Sequence, residues 1–157
     1  MLETQQINRA IAEALTALGF AEGLAWKAVV VHASCKARDR LDEVHWEPPV
    51  IIVEKGVYRC GVTGPTWVCN GEIEPQDVEL IPHNFTDPRY LLPALEAWTD
   101  KKHAGWTLWK WQVKNDSPST THAASVFIVY GDRWEGASNE PFEALRNAFS
   151  AALGVNI

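Results

Sequence analysis

Residues 103–113 read "HAGWTLWKWQV" and place three tryptophans, Trp106, Trp109 and Trp111, within six positions. Large apolar residues alternating with polar ones predict a β-strand, in which successive side chains point to opposite faces. Thr107, Trp109, Trp111 and Val113 then share one face, and Trp106, Leu108, Lys110 and Gln112 share the other. The first set is the more continuously apolar, so it is expected to pack against a helix such as 141–153. Trp106 is then the member of the trio expected at the surface.

Working outward, a second strand, "ASVFIVYG" at 124–131, follows the polar loop "KNDSPSTTHA". Upstream, "FTDPRYLLPALEAW" predicts a helix with Thr86 or Asp87 as its cap and Pro88 near its first position. Leu91, Leu95 and Trp98 lie along one face of it, and Pro93 argues for a regular helix beginning nearer Leu92. Downstream, "NEPFEALRNAFSAALG" predicts a helix with the stripe Phe142, Leu145, Phe149 and Leu153, capped by Ser138 or Asn139 and closed by Gly154. The chain opens on another amphipathic helix, in which Ile7, Ile11, Leu15 and Leu18 repeat at helical spacing between a Thr4 cap and a Gly19 stop.

Residues 24–82 differ in character. "LAWKAVVVH", "VIIVEKGVYRCGV", "TWVCNGEI" and "DVELI" predict five short strands, with Lys55-Gly56 as a tight turn. This pattern suggests a small barrel. The ending "GEIEPQDVELI" resembles the close of a Src-homology type barrel, and "SCKARDRLDEVHWEPP" would then be its long first loop. The expected fold is α+β. Helices pack on a small antiparallel sheet, a helix–sheet–helix sandwich formed by 1–21 and 83–157, with a β-rich, barrel-like insertion at 22–82.

The elements "INRAIAEALTALGF", "DPRYLLPALEAW", "GWTLWKWQV" and "VFIVYGDRWEGASNEPFEALRNAFSAAL", in that order, resemble the phage ABA sandwich family. In those small phage-encoded proteins, helices pack on either side of a short antiparallel sheet. The resemblance covers residues 84–154 best. It implies a phage origin and supplies no catalytic residues, and the segment 24–82 departs from the family as an insertion after the first helix.

Composition narrows the function classes. The chain has 157 residues, 46% of them hydrophobic and 22% charged, with a formal net charge of -6. That balance suits a globular protein and disfavours a broad phosphate-binding surface, because nonspecific nucleic-acid affinity comes from Lys and Arg. No run is long and apolar enough to span a bilayer, and the start lacks the pattern of a signal peptide. A cytoplasmic setting with reduced thiols is expected for the three cysteines. Eight tryptophans are the outstanding feature.

His32, Cys35, Cys60 and Cys69 offer the donor types of tetrahedral zinc but lack paired C-x2-C spacing. A buried structural role for Cys60 outweighs that reading. Cys35 beside Lys36 and Arg38 has no supporting nucleophile signature. No phosphate loop, G-x-S-x-G or H-E-x-x-H is present. The expectation is a protein without catalytic chemistry or cofactor.

Two patches stand out as binding candidates. Arg38 and Arg40 with Trp46 would suit anionic or planar ligands, and Arg133 with Trp134 forms a charged aromatic cluster before the last helix. With Trp106 these are the candidate contact residues. The resemblance leads to a phage accessory protein that blocks a bacterial defence system, such as a CRISPR effector, or sequesters a nucleotide signal. A single-stranded nucleic-acid binder is the alternative, and a homodimer is compatible with surface tryptophans.

Overall fold

Apolar residues at helical spacing give the first element, α1 (Thr4–Ala17), which buries Ile7, Ile11, Ala12 and Leu15. The residue at the capping position is Glu3 rather than Thr4, and its backbone N–H donates to Oε1 of Gln6 (3.2 Å). Gly19 takes the left-handed conformation (φ 84) that ends the helix without a Cβ clash. The structure, a computed structural model, describes residues 3–30, 51–54, 57–61, 72–73, 75, 78–110 and 122–155. It has the α+β architecture of helices packed on a small antiparallel sheet, and the chain divides into two units, 1–26 with 82–157, and 27–81.

In the first unit, α1 and the short α2 (Glu22–Ala25) precede the excursion, and α3 (Pro88–Lys102) follows it. Asp87 caps α3 by accepting the Arg89 N–H at 2.9 Å, and Pro88 sits in its first turn. The helix begins there and not near Leu92, so Pro93 lies inside it. The missing Pro93 N–H is outweighed by the cap and by burial of Leu91, Ala94, Leu95 and Trp98. The helix stops at His103, itself left-handed (φ 51).

The sheet is made of β6 (Ala104–Lys110), β7 (His122–Ile128) and β8 (Arg133–Ser138), antiparallel in that order. The strand β8 is not among the elements expected from the sequence, where Arg133 and Trp134 stand only as a charged aromatic cluster between a strand ending at Gly131 and the last helix. In β8, Trp134, Gly136 and Ser138 alternate with Arg133, Glu135 and Ala137, a period too short and too interrupted by glycine to stand out. The last helix, α4 (Pro141–Ala152), runs over the sheet. Its capping residue is Glu140, and Ser138 instead accepts the Glu140 N–H through Oγ (3.3 Å).

Registers fix the faces. Trp106 lies opposite Val126 and Val126 opposite Trp134, while Leu108 lies opposite Ala124 and Ala124 opposite Gly136. This is the helix-covered face, because Ala124 and Val126 are buried in one core with Leu91, Leu95, Trp98, Leu145, Ala148, Phe149 and the α1 residues. Trp98 meets Trp134 and Phe149 edge-on, with centroids 6.2 and 5.9 Å apart. A Cβ on Gly136 would run into the α4 backbone, so the glycine sets how closely helix and strand approach.

The second unit contains β2 (Ile51–Glu54), β3 (Val57–Cys60) and β4 (Glu72–Ile73) as an antiparallel sheet, while β1 (Trp26–Val30) pairs with β5 (Val78–Pro82). Glu54 opposite Val57 leaves two residues for the β2–β3 connection. Lys55 and Gly56 themselves lie outside the described residues. The described strands form these two sheets, and no pairing among them closes a barrel.

Both crossings into the second unit are tied down in the first. Trp26 donates its indole N–H to Oγ1 of Thr16 (2.8 Å), with the Arg9 guanidinium over its ring at 5.7 Å. The His83 N–H donates to the Ala25 carbonyl (3.0 Å), and its ring stacks on Tyr90 at 4.4 Å.

Candidate functional site

The face of the β6–β7–β8 sheet turned away from the helices is built in three rows across the strands. Gly105, Phe127 and Arg133 form the first; Thr107, Ser125 and Glu135 the second; Trp109, Ala123 and Ala137 the third. The expected faces of the tryptophan strand are therefore inverted, with Trp109 and Thr107 looking away from α4 and Trp106 and Leu108 on the side that α4 covers. Trp106 is exposed as expected, and Trp111 and Val113 lie outside the described residues. The close approach of α4 at Gly136 explains the inversion, since an added Cβ there would run into the α4 backbone, whereas both faces of β7 carry small residues. A helix needs that access more than it needs a tryptophan beneath it. At the edge of the sheet both indoles keep solvent contact, Trp106 at 39% and Trp109 at 36% exposure.

Each row has its own chemistry. In the first, the Phe127 ring lies over Gly105, where an added Cβ would come within 2.9 Å of the ring. Arg133 beside it is exposed and reaches Oε1 of Glu135 at 3.4 Å. Such a solvent-screened pair contributes little to stability, leaving both groups available to a partner. In the second row, the Thr107 and Ser125 hydroxyls hydrogen-bond at 2.9 Å, and Ser125 is buried. In the third, Trp109 stands beside two alanines and so borders a low apolar floor.

The face ends at the turn joining β7 to β8. The Ile128 N–H donates to the Asp132 carbonyl and the Gly131 N–H to the Ile128 carbonyl, both at 2.9 Å. This turn presents Val129 and a fully exposed Tyr130 whose backbone is left-handed (φ 61). A bulky residue in that region carries conformational cost, a feature that concentrates at sites of function. The sequence reading placed Tyr130 in a strand. The signal that could have exposed the turn is the "YGD" that follows the last apolar residues.

No family model, curated protein or solved structure matches the chain. Its own residues therefore carry the functional reading.

Arg38, Arg40 and Trp46 lie outside the described residues, as do His32, Cys35 and Cys69. Cys60 is buried on β3. Arg133 and Trp134 do not form one patch, because the pleat sends Arg133 to the uncovered face and Trp134 into the aromatic contact with Trp98. Among the described residues, no group of three His, Cys, Asp or Glu side chains is arranged to hold a metal ion. No helix among them is long and apolar enough to cross a membrane.

One further side chain is chemically unusual. Arg146 on α4 is buried, and its Nε and Nη2 donate to Oδ1 of the adjacent Asn147 (3.3 and 2.9 Å). Its Nη1 has no partner among the described residues. Burial holds its pKa below the ordinary guanidinium value, opposed by the Glu143 carboxylate one turn earlier.

Proposed function

We propose that this chain is a non-enzymatic binding protein that engages a partner through the face of the β6–β7–β8 sheet that, among the described residues, no helix covers. The observation carrying the proposal is the combination on that face of exposed Trp109, half-buried Phe127 and the screened Arg133–Glu135 pair, ending in exposed Val129 and Tyr130. Aromatic side chains with an arginine are the residue types that concentrate binding energy, and flanking polar groups exclude water around them. Trp109 and Tyr130 would be the anchors and Arg133 the polar contact.

The finer reading is a phage accessory protein that occludes a bacterial defence protein, and it draws on the resemblance of residues 84–154 to the phage ABA sandwich family. The test is a bacterium whose CRISPR interference restricts a phage. Expression of the chain is expected to restore plaque formation, and the folded variants Trp109→Ala and Tyr130→Ala are expected to lose that effect. Full restoration by both variants would move the site away from this face, and no restoration by the wild type would remove the inhibitor reading.

A second reading has one observation in its favour. Aromatic rings and an arginine on an open antiparallel sheet also suit stacking of unpaired bases, although the net charge of -6 weighs against it. Binding of a labelled oligothymidine that falls steeply with salt and is lost in Trp109→Ala would favour nucleic acid over protein.

A further inference from the structure

The two outer strands of the β6–β7–β8 sheet are finished differently. β8 carries the charged Arg133 and Glu135 along its six residues, and charge is a means by which natural sheets discourage pairing at an edge. β6 is less protected over its length. It is seven residues of "AGWTLWK" without proline, with a single charge at its last position, and among the described residues nothing pairs with it on the side away from β7. Its outward row of backbone N–H and C=O groups is complementary to one kind of occupant, an extended strand.

We infer that this edge is a homodimer interface, in which β6 pairs antiparallel with β6 of a second copy about a two-fold axis at Thr107. The strand is self-complementary in that register. Trp109 falls opposite Gly105 of the second copy, Lys110 opposite Ala104, and Trp106 opposite the apolar Leu108, so no two tryptophans and no like charges meet. Cross-strand pairs of this kind are the unit of sheet stabilisation, and a two-fold interface requires the same patch on both copies.

Pairing would cover the exposed sides of Trp106 and Trp109 and turn two three-stranded sheets into one of six strands. It would also lengthen the first row of the uncovered face, because Phe127 and Gly105 would be continued by Trp109 of the second copy. The inference does not depend on the proposed function, since it rests on the strand edge and not on the identity of a partner.

The test is charge placed on the axis. Thr107 is exposed, and Thr107→Lys or Thr107→Glu sets two like charges opposite each other only if the axis is there. Sedimentation velocity is expected to give twice the chain mass for the wild type and for the neutral control Thr107→Val. Either charged variant alone is expected at one chain mass, with twice the mass returning when the two are mixed. A wild type at one chain mass up to about 100 μM, where a micromolar interface would be nearly saturated, overturns the inference, and so does a Thr107→Lys variant that remains dimeric. If neither charged variant folds, hydrogen exchange of the wild type decides. Protection of 104–110 that rises with protein concentration supports the pairing, and its absence refutes it.

Discussion

Gly136→Ala offers the sharpest test of how the first unit is packed. An ideal Cβ at this position would lie 2.5 Å from the Ala148 backbone nitrogen, closer still to the Ala144 carbonyl oxygen, and 2.9 Å from Cβ of Asn147. Two of these three atoms belong to the backbone of α4, so no rotamer change relieves the overlap. The helix must retreat from β8 by roughly 1 Å, and a gap of that width forfeits a quarter to a half of the dispersion attraction between the atoms it separates. Ala144, Leu145, Ala148 and Phe149 are all fully buried on that helix and move with it. Overpacking a core costs typically 1–3 kcal/mol, and blocked backbone places this case at the upper end, about 3 kcal/mol. For a chain of this length that is a fall in Tm of roughly 6–12 °C. Urea unfolding followed by tryptophan fluorescence is expected to show a lower midpoint with an unchanged slope. Gly23→Ala, where an added Cβ meets nothing within 4 Å, is the control and should match the wild type or exceed it slightly. A Gly136→Ala variant within about 0.5 kcal/mol of wild type, the range of an ordinary surface substitution, would refute the close approach of α4 to β8.

Further expectations concern single side chains. Arg146→Met removes a buried charge whose hydrogen bonds, among the described residues, go to the neutral amide of Asn147, so it is expected to raise stability by about 1 kcal/mol; a destabilised variant in thermal unfolding would mean that the guanidinium has a compensating partner. Asp87, held below its ordinary pKa first by the side-chain bond to Arg89 and then by the Arg89 N–H, stabilises the fold above the unfolded carboxylate pKa. That contribution is lost as pH falls through the lowered value. Asp87→Ala should therefore be less stable than wild type at neutral pH, with the difference shrinking on acidification; a pH-independent difference would contradict the bond to Arg89. Trp134→Ala should cost about 2 kcal/mol, below the range for a fully buried aromatic because Trp134 is half-buried against Trp98, while Trp109→Ala on the uncovered face should cost clearly less. Chemical denaturation of the two variants checks the order, and a reversal would invert the two faces of the sheet.

Much of the framework is legible in the sequence wherever a single segment carries the whole signal. Ile7, Ile11 and Leu15 state one face of α1 without help from elsewhere, and Asp87-Pro88 and Gly154 mark helix ends through local chemistry. The inverted tryptophan strand shows where this stops. Alternation separates Trp106 from Trp109 but does not say which side a helix will take. That choice shows at Gly136 on β8, 27 to 30 positions away, whose missing Cβ lets the α4 backbone approach and matters only once the registers are known. β8 itself escaped because half of its period is glycine, serine and alanine. Of the candidate site, Trp106, Arg133 and Trp134 were legible as residues but not as neighbours, since the pleat and the pairing decide who stands beside whom. Val129 and Tyr130 were overlooked because an apolar run reads as strand until its turn hydrogen bonds are seen.

The chain leaves the first unit at Trp26 and returns at Pro82, and two hydrogen bonds from His83, its N–H to the Ala25 carbonyl and its ring Nε2 to the Gly23 carbonyl (2.9 Å), span the gap. From the standpoint of the first unit, everything between is a closed loop whose ends are already held together. Closure entropy grows only slowly with loop length, so the folding of 1–26 and 82–157 is nearly indifferent to how many residues the excursion contains. The junction thus works as a splice point. Residues 27–81 are free to lengthen, shorten or be exchanged for another module in evolution or by design, while Trp26, Ala25 and His83 keep the seam.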